Sequence, residues 1–502
     1  MPAVPSFLLI VGSLLLVLWR ATGRRTGRSV EAAIAGLALL AGLLLGRSIP
    51  LRLNFVLWPP AISPSGSMEL ALTPWSWAIL ASVLSFGLYR SLTSAPGQSP
   101  RRTEAQPASL VFIAAISLAA VAASLLTLVV TWTFVIAAQA WLASTSLADE
   151  EAGPAWGLVQ GKDFASLLLV IAAFGFNGTG EIGGLPALLL LGLAGFLRVW
   201  SAVGTTTRGD GWVATLGFPT AASVLAALAW GWTAAIGEIP AFWLAAVGII
   251  LLLGGWLSGW LAETIDLRAR GWIAGVIGMA LLAAAAAPAQ VEASLATAAA
   301  VLILAGTLGL APSQGRIGAR VGAAVAGLTI VGLPGLVGAV FFGAFAPRGG
   351  DSALAWLAVI GAGLLASLLL ADVVRRTAAP ALRPAIPFAS VASAVMVVLS
   401  VTLYLRLRPL VPPPVVAAAP AALLTAIAGA VLWGRVPEGR RSRIARALRW
   451  PVNLASPVRA AAAAGPIEVF VRGARDVFEG DASLLWALVF VVVGLLLLQG
   501  AV

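Results

Sequence analysis

Few side chains in this 502-residue chain could pass a proton, bind a metal or attack a substrate. It has 20 Asp and Glu residues and 31 Lys and Arg, but neither histidine nor cysteine. Lysine occurs once, at Lys162; every other basic residue is arginine. Without Cys or His there is no disulfide, iron–sulfur cluster, His-ligated haem or ordinary zinc site to expect. No phosphate-binding loop, nucleophile–base pair or metal-spaced cluster occurs. The expectation is a chain with no cofactor of its own, whose redox chemistry, if any, belongs to a partner.

The elements that must position these groups follow from composition. The chain is 60% hydrophobic and 10% charged, with a mean hydropathy of +1.00. A soluble domain carries charge on about a quarter of its residues, so the solvent is a bilayer. About sixteen runs are apolar and long enough to approach a span. They lie at 6–19, 31–46, 74–90, 108–123, 124–143, 163–178, 184–203, 216–236, 240–262, 271–287, 293–310, 320–345, 353–373, 386–406, 413–433 and 482–499. No basic segment precedes the first run, so no cleavable signal peptide is expected.

Arginines such as Arg20, Arg24, Arg25, Arg90, Arg101, Arg375 and Arg376 follow odd-numbered runs, and Arg435–Arg475 follow the fifteenth. Loops after even-numbered runs hold few: Arg47, Arg52, Arg348, Arg406 and Arg408. The positive-inside rule then places odd loops in the cytoplasm and the N-terminus outside. The net charge of +11 is thereby absorbed as topology, and no nucleic acid is expected as a partner. Residues 434–481 carry a helical-period apolar face (Ile467, Phe470, Val471, Ala474, Val477, Phe478) opposite charged residues. This reads as a helix on the membrane surface or against a neighbouring subunit.

Four stretches carry a family likeness, in order along the chain. They are Leu126-Thr127-Leu128-Val129-Val130-Thr131-Trp132, Phe218-Pro219-Thr220-Ala221-Ala222-Ser223, Leu261-Ala262-Glu263-Thr264-Ile265-Asp266-Leu267-Arg268, and Gly332-Leu333-Pro334-Gly335-Leu336-Val337-Gly338. Each resembles a segment of the antiporter-like membrane subunits of respiratory complex I (NADH:quinone oxidoreductase) and of Mrp-type cation/proton antiporters. Phe478-Glu479-Gly480-Asp481 before a last span is similar to the C-terminus of their longest members. The likeness covers roughly residues 70–380. It implies an all-α polytopic fold of about 14–16 helices, with two inverted five-helix repeats and broken helices. It also implies N-terminal helices over 1–107, repeats over 108–236 and 240–376, and further helices over 386–433. A surface helix region over 434–481 and a last span over 482–502 complete the expected organisation. Pro219 and Pro334 are expected to break spans eight and twelve, freeing backbone groups; a simple packing kink is the alternative.

The family's proton path uses ionisable residues whose pKa values can move, typically a glutamate and several lysines. Carried over one position at a time, the span-five glutamate falls on Thr133 and the span-seven lysine on Arg198. The span-eight lysine falls on Trp232, a histidine found in some members on Ala227, and the span-twelve lysine on Phe342. Arginine holds its charge and relays protons poorly. Arg198 and Thr133 are therefore ion-path candidates, and Trp232, Phe342 and Ala227 degenerate family positions. A mid-span charge costs about 2.5–3.5 kcal/mol on insertion scales, so Arg198 must face protein or water. It is either a fixed charge on an ion path or a structural arginine bonding freed carbonyls. Glu263, Asp266 and Arg268 read as a local hinge ion pair.

The resemblance implies a divergent antiporter-like subunit of a complex I-like energy-converting assembly, multi-pass in the plasma (inner) membrane. Its partners would be the bilayer and other membrane subunits. Its own proton path would be lost or altered, leaving a structural or coupling role and at most a non-catalytic part in the enzyme. A stand-alone or paired cation/proton or solute transporter on the same fold is the alternative.

Overall fold

The computed structural model describes residues 2–22, 28–57, 67–93, 100–146, 166–171, 190, 192–195, 198, 216–234, 241–262, 265–310, 316–345, 353–378, 387–413 and 417–435. Fourteen named helices fall among them. The first five are α1 (Val4–Ala21), α2 (Arg28–Leu45), α3 (Pro74–Thr93), α4 (Pro100–Ala120) and α5 (Leu125–Ser146). Then come α6 (Gly217–Ala234), α7 (Ala241–Leu261), α8 (Ile265–Ala286) and α9 (Val291–Leu310). The last are α10 (Arg316–Ile330), α11 (Val337–Phe345), α12 (Ala353–Ala378), α13 (Pro387–Leu407) and α14 (Ala418–Arg435). Parts of expected spans six and seven, residues 166–171 and 192–195, are helical too. Most of the expected surface region 434–481 and all of 482–502 lie outside the described residues.

Five described helices are long and apolar enough to cross a membrane: Leu244–Leu261, Leu267–Ala286, Pro288–Leu310, Ala353–Leu370 and Ser390–Leu410. Shorter apolar helices accompany them, including Val4–Trp19, Ser29–Leu45 and Ala418–Leu432. In lipid every backbone polar group must find an internal partner, and helices do this within one segment. The chain is an all-α polytopic membrane protein.

One departure from the helical expectation lies between α2 and α3. There β1 (Leu51–Leu57) pairs with β2 (Ser67–Leu72), and Leu70 bridges antiparallel to Ala122 in the turn between α4 and α5. Ala71 N–H donates to the Val121 carbonyl and Ala123 N–H to that of Glu69. The ribbon thus satisfies the backbone of the 121–124 turn.

Helix α9 is the hub. Every residue of it except Glu292 is buried, enclosed by α3, α6, α8, α10, α11 and α13. Around it α4 packs on α1 and α5, α13 on α3, and α12 on α8 and α14. Helices α7 and α8 meet backbone to backbone. A Cβ at Gly255 would lie 2.7 Å from the Gly271 carbonyl oxygen, and one at Gly271 would lie 2.7 Å from Gly259 Cα. Lipid tails give apolar side chains no reason to hide, so such close small-residue packing is what joins the pair.

Candidate functional site

Arg198 is fully buried. Its Nη2 donates to Gln139 Oε1 at 3.4 Å, and its guanidinium carbon lies 5.0 Å from the centroid of the Trp132 ring. Trp132 and Gln139 stand seven residues apart on α5, two turns along one face. A desolvated cation over an indole is stabilised by about 2 kcal/mol or more. Thr133 faces elsewhere: its hydroxyl donates to the Val129 carbonyl of its own helix at 2.8 Å. The two ion-path candidates are therefore not joined directly, and Arg198 is held by Trp132, the last residue of the first family-like stretch, and by Gln139, which lies beyond it. An uninterrupted polar Gln139 on the same face as Trp132 was the available signal. Chemically the group is a fixed positive charge with an aromatic and an amide around it.

The second part of the site is the interval between α10 and α11. Helix α10 ends in a Schellman motif. Gly332 sits at φ 78°; its N–H donates to Thr329 O at 3.2 Å and that of Leu333 to Leu328 O at 3.1 Å. Gly335 also has positive φ, 96°, a region that costs L-residues energy. Two glycines with Pro334 between them thus separate the half-helices. At the far side Val337 N–H donates to the Ser400 hydroxyl of α13 at 3.2 Å. A Cβ at Gly338 would take the space of the Thr329 carbonyl oxygen, so the half-helices touch through glycine.

Phe342 is 1% exposed and packs its ring over Gly332, where any Cβ would collide with it. It also joins Phe341 and Phe345, with ring centroids 6.1 and 5.5 Å away. The place assigned to the family's span-twelve lysine is thus a dry aromatic cluster. Ala227 is likewise buried. Trp232 lies in the last turn of α6, its side chain outside the described residues.

Pro219 stands at the start of a described helix, and the residues that precede it, 199–215, lie outside the described residues. It sits in the first turn of α6, which begins at Gly217. There its missing N–H would have no intrahelical acceptor in any case, so proline is tolerated. Glu263 lies outside the described residues. Asp266 and Arg268 fall in the first turn of α8, with Arg268 half-buried.

Three polar contacts had no motif behind them. Glu31, buried at the start of α2, interacts electrostatically with Arg90 near the end of α3. Arg52 pairs with Glu69 across the ribbon at 3.7 Å. Glu292 accepts a hydrogen bond from Thr73 at 3.2 Å, and Thr73 forms a reciprocal cap with Ser76 at the start of α3.

No protein-family model matches the chain, and no curated protein matches it in sequence. Solved structures do. A chain of the Mrp complex from Dietzia sp. DQ12-45-1b aligns with TM-score 0.66 and 18% identity over 98% of this chain. This chain spans 62% of that chain's length. A chain of the archaeal membrane-bound sulfane sulfur reductase, a respiratory membrane complex, aligns with TM-score 0.62 and 14% identity, over 98% of this chain and 99% of that one. Respiratory complex I from Thermus thermophilus gives TM-score 0.59 and 16% identity, over 85% and 99%. Motifs and backbone therefore agree: the chain has the antiporter-like membrane-subunit fold that these assemblies share.

Proposed function

We propose that the chain serves as a membrane subunit of a multi-subunit, complex I-like energy-converting assembly, in a structural or coupling role. Its family proton path is replaced by packing. The observation that carries this reading is Phe342, sealed against Gly332 within an aromatic cluster where the family places a titratable lysine. Arg198 supports it: a guanidinium clamped by Trp132 and Gln139 supplies a constant charge, which can bias a neighbour electrostatically but does not release its proton. The absence of histidine and the single lysine at Lys162 leave no alternative titratable chain of the family's kind. The neighbours in the solved structures are parts of multi-subunit membrane complexes, which favours partners over a solitary transporter. The reading places the N-terminus outside the inner membrane and two inverted repeats over 108–236 and 240–376.

Purification in mild detergent tests it. Other membrane subunits should elute with the chain. A chain that runs alone as a monomer or homodimer, and moves ions when placed in liposomes, overturns the proposal in favour of the transporter. If Arg198→Ala abolished proton flux through an intact assembly, that charge would lie on a working path, and its fixed role would be wrong.

A further inference from the structure

Between Glu69 and Thr73 the chain bonds to the first turns of two different helices. Glu69 N–H donates to the Thr127 hydroxyl at the start of α5, at 2.8 Å, and Thr127 shares a 2.7 Å hydroxyl–hydroxyl bond with Ser124 just before that helix. The backbone bonds from Glu69 and Ala71 to residues 121–123 fix the same end. Four residues on, the Thr73 hydroxyl donates to Glu292 at the start of α9, at 3.2 Å. Ser76 closes this end, its hydroxyl donating back to the Ala71 carbonyl at 3.1 Å. Yet α5 is not among the described helices that enclose α9; it packs on α4.

The link is short and stiff. Extended residues rise about 3.3 Å each, so Glu69 and Thr73 stand about 13 Å apart. Leu70 and Leu72, between them, are buried and anchor the strand. One edge of it pairs with β1 and the other with the 121–123 turn. A segment held at both edges and by its alternate side chains has little room to swing. We infer that Glu69–Thr73 is a strap that couples the starts of α5 and α9, so that loosening one loosens the other. What it joins gives the coupling its use. Helix α5 carries Trp132 and Gln139, which hold Arg198, and α9 packs on α11, which carries Phe342. The strap is a physical route between the two parts of the candidate site, and an energetic coupling between two places acts equally in both directions. It lies within one chain and stands whether or not the assembly reading does.

Amide hydrogen exchange read by mass spectrometry tests the strap on the full chain, purified in mild detergent with any subunits that accompany it. Glu292→Ala removes the bond at the α9 end. Exchange over 121–128, at the other end of the strap, should then rise about fivefold, the worth of one hydrogen bond. Thr127→Val removes the bond at the α5 end and should raise exchange over 290–297 by a similar factor. Glu292→Gln and Thr127→Ser, which keep the acceptor oxygens, should leave the distant segments as in the parent. Ser400→Ala, which acts at the contact of α11 with α13, should change neither segment. A rise confined to the mutated end reduces Thr73 and Thr127 to separate local caps and overturns the inference. So does an effect that runs in one direction only. An equal rise with Ser400→Ala marks general loosening and overturns it too. Should Glu292→Ala not fold, Thr73→Val cuts the same bond from its other partner and is read in the same way.

Discussion

Two adjacent glycines on α7 should respond in opposite directions to the same substitution. A Cβ at Gly254 meets nothing within 4 Å, whereas one at Gly255 lies 2.7 Å from Gly271 O and 2.8 Å from Gly275 Cα. Its tightest neighbour is the Gly275 backbone nitrogen, and ordinary contacts begin near 3.5 Å, so Gly255→Ala must push α7 and α8 apart by about 1 Å. Overfilling a packed interface costs about 1–3 kcal/mol, less the roughly 1 kcal/mol that alanine gains over glycine in a helix. Gly254→Ala receives that gain with no clash. The measurement is reversible unfolding in mixed detergent and SDS, followed by circular dichroism. Gly255→Ala should unfold at lower SDS, and Gly254→Ala at equal or higher SDS, than the parent. Gly271→Ala, whose Cβ would meet the α7 backbone at Gly259, should behave like Gly255→Ala, and the pair should cost less than the sum of its members. Equal shifts at 254 and 255 would mean that the α7–α8 backbone contact contributes nothing.

Other substitutions probe the break and a helix start. Gly332→Ala should cost about 1–2 kcal/mol for its left-handed backbone, plus displacement of the Phe342 ring. In a double-mutant cycle with Phe342→Ala the two effects should fall short of additivity by about 1 kcal/mol, and strict additivity would refute the contact. Ser400→Ala leaves the Val337 N–H without its partner and should destabilise by about 1–3 kcal/mol; Ser400→Thr, which keeps a hydroxyl, should lose less than half of that. Thr73→Ala removes the α3 cap and should cost about 0.5–2 kcal/mol, with Thr73→Ser close to the parent in the same unfolding assay.

The helices were legible because bilayer solvation demands long apolar runs, and α3, α7, α9 and α13 begin and end within a few residues of those runs. The ribbon at 51–72 has a shorter signature, since Leu51, Leu53 and Phe55 alternate with Arg52 and Asn54. That period of two differs from the long apolar run of a span. Pro219 and Pro334 look alike in sequence, yet only the second is flanked by glycines at 332 and 335 that take positive φ. The first falls where a helix starts. The partners of Arg198 lie 59 and 66 positions back along the chain, the charge facing Glu31 on another helix and the partner of Glu292 at the residue that caps α3; such pairings exist only after packing. The motif spacing did locate Phe342, but that its ring closes over Gly332 depends on the shape of the break.

Helix α9 has no face for lipid, yet it is made before the helices that finish enclosing it, since α10, α11 and α13 follow it in the chain. Until they follow, the side of α9 that those three helices cover has only α3, α6 and α8 of its final neighbours ahead of it in the chain. In the finished bundle the Thr297 hydroxyl donates to the Ala293 carbonyl of its own helix. The run Val301-Leu302-Ile303-Leu304 supplies the hydrophobicity that holds the helix in place during that wait. Its sequence therefore answers to two solvents in succession: the lipid that receives it, and the three later helices that replace that lipid.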